Sequence, residues 1–195
     1  MMRPLDHIVS DCLRGKPSAQ RELYDRYASL LLGICFRYAN GRDDAEEILQ
    51  QSFIKIFTRM ESFNNQGSFE GWMKRVTINT ALNFLSSRKR LGFTEEVTPQ
   101  TAFHNEDPEA EMIRNMEHEK LFECIGRLPD GYRVVLNLFA IEGLSHKEIG
   151  ERLGINESTS RSQFVRAKSA LKKILEESFN TDAIPYVGKV VRTSA

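Results

Sequence analysis

Arg75, Asn79, Asn83 and Ser86 recur at i, i+4, i+8 and i+11, a spacing that lines one face of a helix. Arg can neutralise a phosphate, and the Asn amide can read a base edge. Arg88, Lys89 and Arg90 extend this face with three positive charges. Phe63, Phe69 and Trp72 stand in and before the same helix, where rings could stack on an unpaired base. For Phe69 and Trp72 taken singly, a place in the core is the better expectation. For Arg75, Asn79 and Asn83, binding is the better expectation than an idle solvated face.

A second constellation lies near the C-terminus. Leu144-Ser145-His146-Lys147-Glu148-Ile149-Gly150-Glu151-Arg152-Leu153-Gly154-Ile155-Asn156 reads as a helix, a glycine turn and the start of another helix. Ser145 can cap the first helix, and Glu148 three residues on completes a capping box. Gly154 supplies a left-handed turn that other residues resist. The next helix displays Glu157, Ser158, Arg161, Ser162, Gln163, Arg166 and Lys168, and buries Phe164, Leu171 and Leu175. Short polar side chains at its start suit entry into a major groove. A plain helical hairpin with a solvated face would carry much of this pattern. The glycine turn, the capping box and the basic residues beyond them favour a helix-turn-helix.

The third constellation suits a protein partner. In the segment from Asp43 to Met60, Ala45, Ile48, Leu49, Ser52, Phe53, Ile56, Phe57 and Met60 share one helical face. Glu47, Gln50, Gln51 and Thr58 lie opposite, with Ile54 in the middle of that polar face. An exposed Ile ringed by Glu and Gln marks either a docking surface or the ordinary scatter of apolar surface residues; the segment alone leaves the two balanced.

The elements that must position these groups are helical throughout. Leu5, Ile8, Val9, Cys12 and Leu13 form one stripe, ended by Gly15 and Pro17. A second helix starts near Ser18 and carries Leu23, Tyr24, Tyr27, Leu30, Leu31, Ile34 and Tyr38. A third runs from Asp43 and Asp44 to about Met60, and a fourth from near Phe69 to Arg90. Residues 93–108 hold two prolines and few apolar anchors, a linker composition. Pro108 opens a further helix. Pro129-Asp130-Gly131 interrupts it, and helices follow over Tyr132 to Ile141, Ser145 to Leu153 and Asn156 to about Glu177. The expectation is an all-α chain of two small helical domains, 1–92 and 109–178, joined by a flexible acidic linker at 93–108, with 179–195 an unassigned tail.

The formal net charge is +0, but its distribution is uneven. Residues 1–92 carry 14 basic and 10 acidic residues, a surplus of +4; residues 93–120 carry 2 and 8, or −6; residues 121–195 carry 11 and 9, or +2. The neutrality is a cancellation between two weakly basic lobes and an acidic strap. The longest apolar run, Leu30 to Phe36, is far short of the roughly 20 residues a membrane helix needs, so no direct membrane insertion is expected. The N-terminus has no apolar signal core. Cys12, Cys35 and Cys124 are too few and dispersed for a disulfide framework, which points to a cytoplasmic setting. His7, His104, His118 and His146 are scattered, so neither a metal site nor a cofactor is expected.

These pieces, in this order, resemble a bacterial RNA polymerase sigma factor of the extracytoplasmic-function group. Asp44-Ala45-Glu46-Glu47-Ile48-Leu49-Gln50-Gln51-Ser52-Phe53 is similar to the core-binding part of region 2. Gly71-Trp72-Met73-Lys74-Arg75-Val76-Thr77-Ile78-Asn79 is similar to the start of its promoter-reading helix, and Gly143-Leu144-Ser145-His146-Lys147-Glu148-Ile149-Gly150 onward to region 4. The resemblance covers about residues 5 to 176. It implies core RNA polymerase as partner, at its clamp and flap regions, with Asp44, Glu47, Gln50, Gln51 and Ile54 on the contact surface. It implies that Asn64, Asn65, Arg75, Asn79, Asn83, Arg88, Lys89 and Arg90 meet the melted minus-ten element, a flipped base being read from a pocket near the Phe63–Phe69 loop. Glu157, Ser158, Thr159, Arg161, Ser162 and Arg166 would meet the minus-thirty-five duplex. The linker would thread near the active-site and RNA-exit channel, where its acids could occupy a basic nucleic-acid path. An anti-sigma protein is implied as a further partner.

The sequence departs from that family in three places. Ser160 stands where an apolar residue is common, Gln163 where a basic one is, and Asn83 where an acid is frequent; these bear on promoter sequence rather than class. Two other classes compete. A stand-alone helix-turn-helix regulator would need neither the Ile54 surface nor the Asn79 helix. An enzyme would need a Gly-rich phosphate loop, paired carboxylates or a nucleophile with a base, and none is recognisable.

Overall fold

Apolar residues at helical period in the first 90 positions have no strand to pack on, so they close on each other as a helical bundle. The computed structural model describes residues 3–64, 67–88 and 118–182. It divides into two units, Met1–Gly92 and Phe93–Ala195. The acidic linker at 93–108, the helix expected to open at Pro108, and Asn65, Lys89 and Arg90 lie outside the described residues. Among the described residues no strand occurs, and no helix is long and apolar enough to cross a membrane.

The first unit holds α1 (Leu5–Leu13), α2 (Pro17–Tyr38), α3 (Arg42–Arg59) and α4 (Phe69–Ser87), with a 3-10 turn at Met60–Ser62. Pro17 is the first residue of α2 rather than a spacer before it, a position where its missing N–H costs nothing. α2 packs against α1, α3 and α4, and α3 packs against α4. The shared core includes Ile8, Leu23, Leu31, Ile48, Ile56, Met73 and Leu85, all fully buried. Leu13, Tyr24 and Leu30, members of the apolar pattern, are exposed; the Tyr24 ring meets Phe53 at 4.6 Å. Asp11 fastens α1 to α2: Arg3 reaches it at 2.7 Å and Lys16 at 2.8 Å, and Arg3 also reaches Glu22 at 2.9 Å. Hydrogen bonds from Lys16 and then Arg3 pull the Asp11 carboxyl down to about 2.

The second unit holds α5 (His118–Gly126), α6 (Asp130–Leu136) continued by a π turn at Asn137–Ile141, α7 (His146–Leu153) and α8 (Glu157–Asp182). The expected helix over Tyr132 to Ile141 is thus two segments of different pitch. α8 begins one residue later than expected and continues past Glu177 into the segment read as a tail. Its inner stripe of Ala167, Leu171 and Leu175 packs against Cys124, Ile125, Leu128 and Leu136. Three free cysteines, Cys12, Cys35 and Cys124, are buried. Burial pushes the Cys35 thiol up to about 12, which keeps it from forming the thiolate that redox chemistry needs.

Candidate nucleic-acid and protein interfaces

α3 begins after Gly41, whose φ of 150° lies outside the range that suits side chains. Asp43 and Asp44 then occupy the first turn, where the helix dipole favours acids. Ala45, Ile48, Leu49, Ser52, Phe53, Ile56 and Met60 are buried as the period dictates, while Phe57 is half-buried. Ser52 tolerates burial because its hydroxyl donates to Ile48 O at 2.7 Å. On the opposite face Gln50 is exposed, Asp44, Glu47 and Gln51 are half-buried, and Ile54 is 57% exposed, the most exposed large apolar side chain among the described residues. The Gln51 amide donates to Glu47 Oε1 at 3.2 Å. The five residues expected to meet a protein therefore share one surface, with an apolar centre and a polar rim. That layout suits docking, because a partner can cover the apolar centre while the rim stays hydrated.

α4 starts on Ser68, whose Oγ accepts from Gly71 N at 3.0 Å. Met73, Thr77, Ile78, Thr80, Ala81, Leu82, Phe84 and Leu85 face inward; Thr77 and Thr80 bond back to Met73 O and Val76 O. That leaves Arg75, Asn79, Asn83 and Ser86 exposed together. The loop before α4 is held by three rings: Phe63 meets Phe69 edge-on at 5.2 Å, and Phe69 stacks on Trp72 at 5.3 Å. Phe69 is buried, while Phe63 and Trp72 are half-buried. Gly67, at φ 90°, brings the loop within reach of Arg75: a Cβ there would stand 3.8 Å from the guanidinium. Asn64 is exposed on this loop. Arg88 does not extend the Arg75–Asn79–Asn83 face. It caps the end of α4 and turns toward α3, pairing with Asp44 at 2.6 Å and Glu47 at 2.8 Å.

In the second unit the expected capping box is present. Glu148 N donates to Ser145 Oγ at 3.3 Å, and Ser145 N donates to Glu148 Oε2 at 2.8 Å. The Ser145 hydroxyl, donating to Glu148 Oε2 at 2.6 Å, and then the Ser145 N–H hold the Glu148 carboxyl below its ordinary value. Gly154 ends α7 in the left-handed region at φ 68°. Gly150 is a requirement that the sequence reading missed. A Cβ on it would lie 2.7 Å from Ile155 O, so the chain folds back over a residue with no side chain.

On α8, Glu157, Ser158, Arg161 and Ser162 are exposed, and Thr159 and Arg166 are half-buried. Arg161 bonds within the helix to Glu157, at 2.5 Å through Nη2. Val165 is exposed on the same side as Ser158 and Ser162, an apolar member of that surface that the polar pattern did not flag. Gln163, expected on display, is 2% exposed, and Ser160 is fully buried. Their positions fall on the inner stripe with Ala167 and Leu171, so helical period overrides their polarity. Ser160 Oγ lies 3.0 Å from His146 Nδ1, and the His146 ring stacks on Phe139 at 4.3 Å, which in turn meets Phe164 at 4.5 Å. This bond and stack join α7 to α8, the joint of a helix-turn-helix.

Burial, and then the Arg161 charge, holds His146 below its ordinary value near 6.5. The unfolded chain therefore binds this proton more readily. The stabilisation is fully present above about 6.5 and is lost as pH falls through that value toward the lower folded one. Thermal melts of the second unit should move to lower temperature between pH 7.5 and 5.5. A His146→Gln variant should flatten that dependence, and an equally steep dependence in the variant would refute the assignment.

Two family models match the chain: Sigma-70 region 2 over residues 23–91, and Sigma-70, region 4 over residues 118–171. The RNA polymerase sigma-H factor of Pseudomonas aeruginosa is 30% identical over 178 residues, covering 87% of this chain and 92% of that protein. The ECF RNA polymerase sigma-E factor of Haemophilus influenzae is 29% identical over 178 residues, covering 87% and 94%. Among solved structures, the sigma factor RpoE in complex with the anti-sigma factor NepR from Bartonella quintana aligns at a TM-score of 0.49 and 16% identity, covering 80% of this chain and 96% of that one.

Proposed function

The chain belongs to the sigma-70 family of RNA polymerase sigma factors, in its extracytoplasmic-function group, and from that premise we propose how its surfaces divide the work of promoter-specific initiation. As a sigma factor it binds core polymerase and directs it to promoters. The outer face of α3, with Asp44, Glu47, Gln50, Gln51 and Ile54, docks on the clamp of core polymerase. The Arg75–Asn79–Asn83 face of α4, with Asn64 beside it, takes the melted minus-ten strand. The start of α8, with Glu157, Ser158, Thr159, Arg161, Ser162 and Arg166, enters the minus-thirty-five major groove. The family is one of initiation factors, and no residue is given a catalytic role.

One observation carries this division. The unit that lacks the helix-turn-helix exposes an apolar-centred surface on α3 and an Arg–Asn face on α4. A stand-alone regulator has no use for the pair. A polymerase subunit that must hold the enzyme and open DNA needs both. The modest positive surplus of each lobe fits a protein that reads DNA only with the polymerase supplying the rest of the grip. Such a protein works where polymerase and chromosome are, in the cytoplasm. A free initiation factor would misdirect polymerase, so an anti-sigma protein that covers the α3 surface until a stress or surface signal arrives completes the reading.

The test is reconstitution. Full-length protein added to core polymerase should give promoter-dependent transcripts and run with core in size-exclusion chromatography; neither occurring would refute the reading. Within it, Arg161→Ala should weaken holoenzyme binding to minus-thirty-five duplex by about 1–3 kcal/mol if the guanidinium reads a base. An unchanged footprint would remove Arg161 from that role and leave the rest standing.

A further inference from the structure

One side chain joins the end of α4 to the start of α3. Arg88 donates through Nη1 to Asp44 Oδ1 at 2.6 Å and through Nη2 to Glu47 Oε2 at 2.8 Å. Its guanidinium also lies over the Phe84 ring, 4.2 Å from the centroid. The other Glu47 oxygen accepts from the Gln51 amide at 3.2 Å. The bonds therefore run without a break through Asp44, Arg88, Glu47 and Gln51. Those are three of the five polar and apolar residues of the α3 surface, plus one residue from another helix. On a helix of about 100° per residue, position 88 is roughly 140° from Asn83 and roughly 180° from Asn79. The guanidinium thus belongs to the α3 side of the unit and not to the Arg–Asn face.

We infer that Arg88 is a positioning residue of the polymerase-docking surface rather than a contact to minus-ten DNA. The inference rests on the reading of the α3 face given above. Asp44 and Glu47 are three residues apart on one helix, so their carboxylates are neighbours of like charge. A planar guanidinium between them cancels that repulsion and fixes both in one arrangement, which a lysine ammonium cannot do because it lacks the fork. Stacking on Phe84 holds the guanidinium flat, and the α4 C-terminus favours its charge. A rim ordered in advance loses less side-chain freedom when the partner arrives, so it binds tighter for the same contacts. Arg88 need not touch the polymerase to contribute.

The experiment uses the full chain with Arg88→Ala, Arg88→Lys and Glu47→Gln, alone and combined. Affinity for core polymerase is titrated first. The salt dependence of promoter binding is then measured with core saturating. Arg88→Ala should weaken core binding about fivefold, and Arg88→Lys should recover only part of that. Glu47→Gln should cost less in the Arg88→Ala background than in the native one. The salt slope of promoter binding should not change. Unchanged core affinity in Arg88→Ala overturns the inference. So does a fall of about one in the salt slope, the mark of a lost phosphate contact. Glu47→Gln combined with Arg88→Lys approaches the same contact through near-isosteric changes, so the coupling is measurable even if Arg88→Ala folds poorly. If the native chain itself does not bind core, the functional reading fails, which is distinct from a native chain that binds while Arg88→Ala binds equally well.

Discussion

Ile54→Glu should abolish stable binding to core polymerase and leave the fold intact. Ile54 is 57% exposed on the face of α3 that points away from the core. Nothing in the unit depends on its apolar character, and Glu is a better helix former than Ile. Surface changes of this kind move stability by about 0.5 kcal/mol or less. In the complex the position changes meaning. An apolar anchor at the centre of an interface typically contributes about 2 kcal/mol or more, and a carboxylate there must also be stripped of water without a partner. A loss of at least about thirtyfold in core affinity follows. Melting curves and core titrations of the variant and the native chain check both halves. Native affinity in the variant would falsify the placement of Ile54 at the interface centre.

Arg133→Met should unfold the helix-turn-helix unit under conditions where the native one is stable. Arg133 is fully buried, yet it carries a charge. Nη1 donates to Gly126 O at 2.8 Å and to Leu128 O at 3.5 Å, and Nη2 pairs with Asp130 Oδ1 at 2.6 Å. The guanidinium thereby serves carbonyls at the end of α5 and pins the Pro129-Asp130 turn from which α6 departs. Met fills similar volume, so a cavity is not the issue. What remains is a largely buried carboxylate that has lost its cation and carbonyls that have lost their donor, a cost of about 3–5 kcal/mol. Trp72, the sole tryptophan, lies in the other unit. Its emission should follow an unchanged denaturation curve while amide exchange across α6, α7 and α8 accelerates. Equal protection in variant and native chain would show that the turn does not depend on Arg133.

The contrast between these two residues shows what local pattern could and could not reveal. Ile54 was legible because a helix of known phase assigns every position a side, and an Ile on the polar side breaks the rule visibly. The capping box at Ser145 and Glu148 and the left-handed turn at Gly154 were legible for the same reason, since their rules span only a few residues. Arg133 sits between Tyr132 and Val134-Val135-Leu136, so a charge inside an apolar run was a signal available to be read. Gln163 went the other way: its place on the inner stripe was readable, but its polar side chain outweighed it. Arg88 was out of reach. Its partners lie 44 and 41 residues away, and no local period points to them. Gly150 was equally out of reach, because what excludes its side chain is a carbonyl brought back by the turn after it.

The division of α8 has a consequence for how target preference can change over generations. Ser160, Gln163, Ala167 and Leu171 face inward and tie the helix to its neighbours, while Ser158, Arg161, Ser162 and Val165 face out. No outward residue is among the buried ones, so replacing one does not open a void or strand a buried hydrogen bond. On the proposed role of α8, such a helix can acquire a new minus-thirty-five preference by a few independent substitutions, each tolerated by the fold. A lineage carrying duplicated copies of this gene could thus diverge toward separate regulons without passing through an unfolded ancestor, and an engineer could follow the same route with a library confined to those four positions.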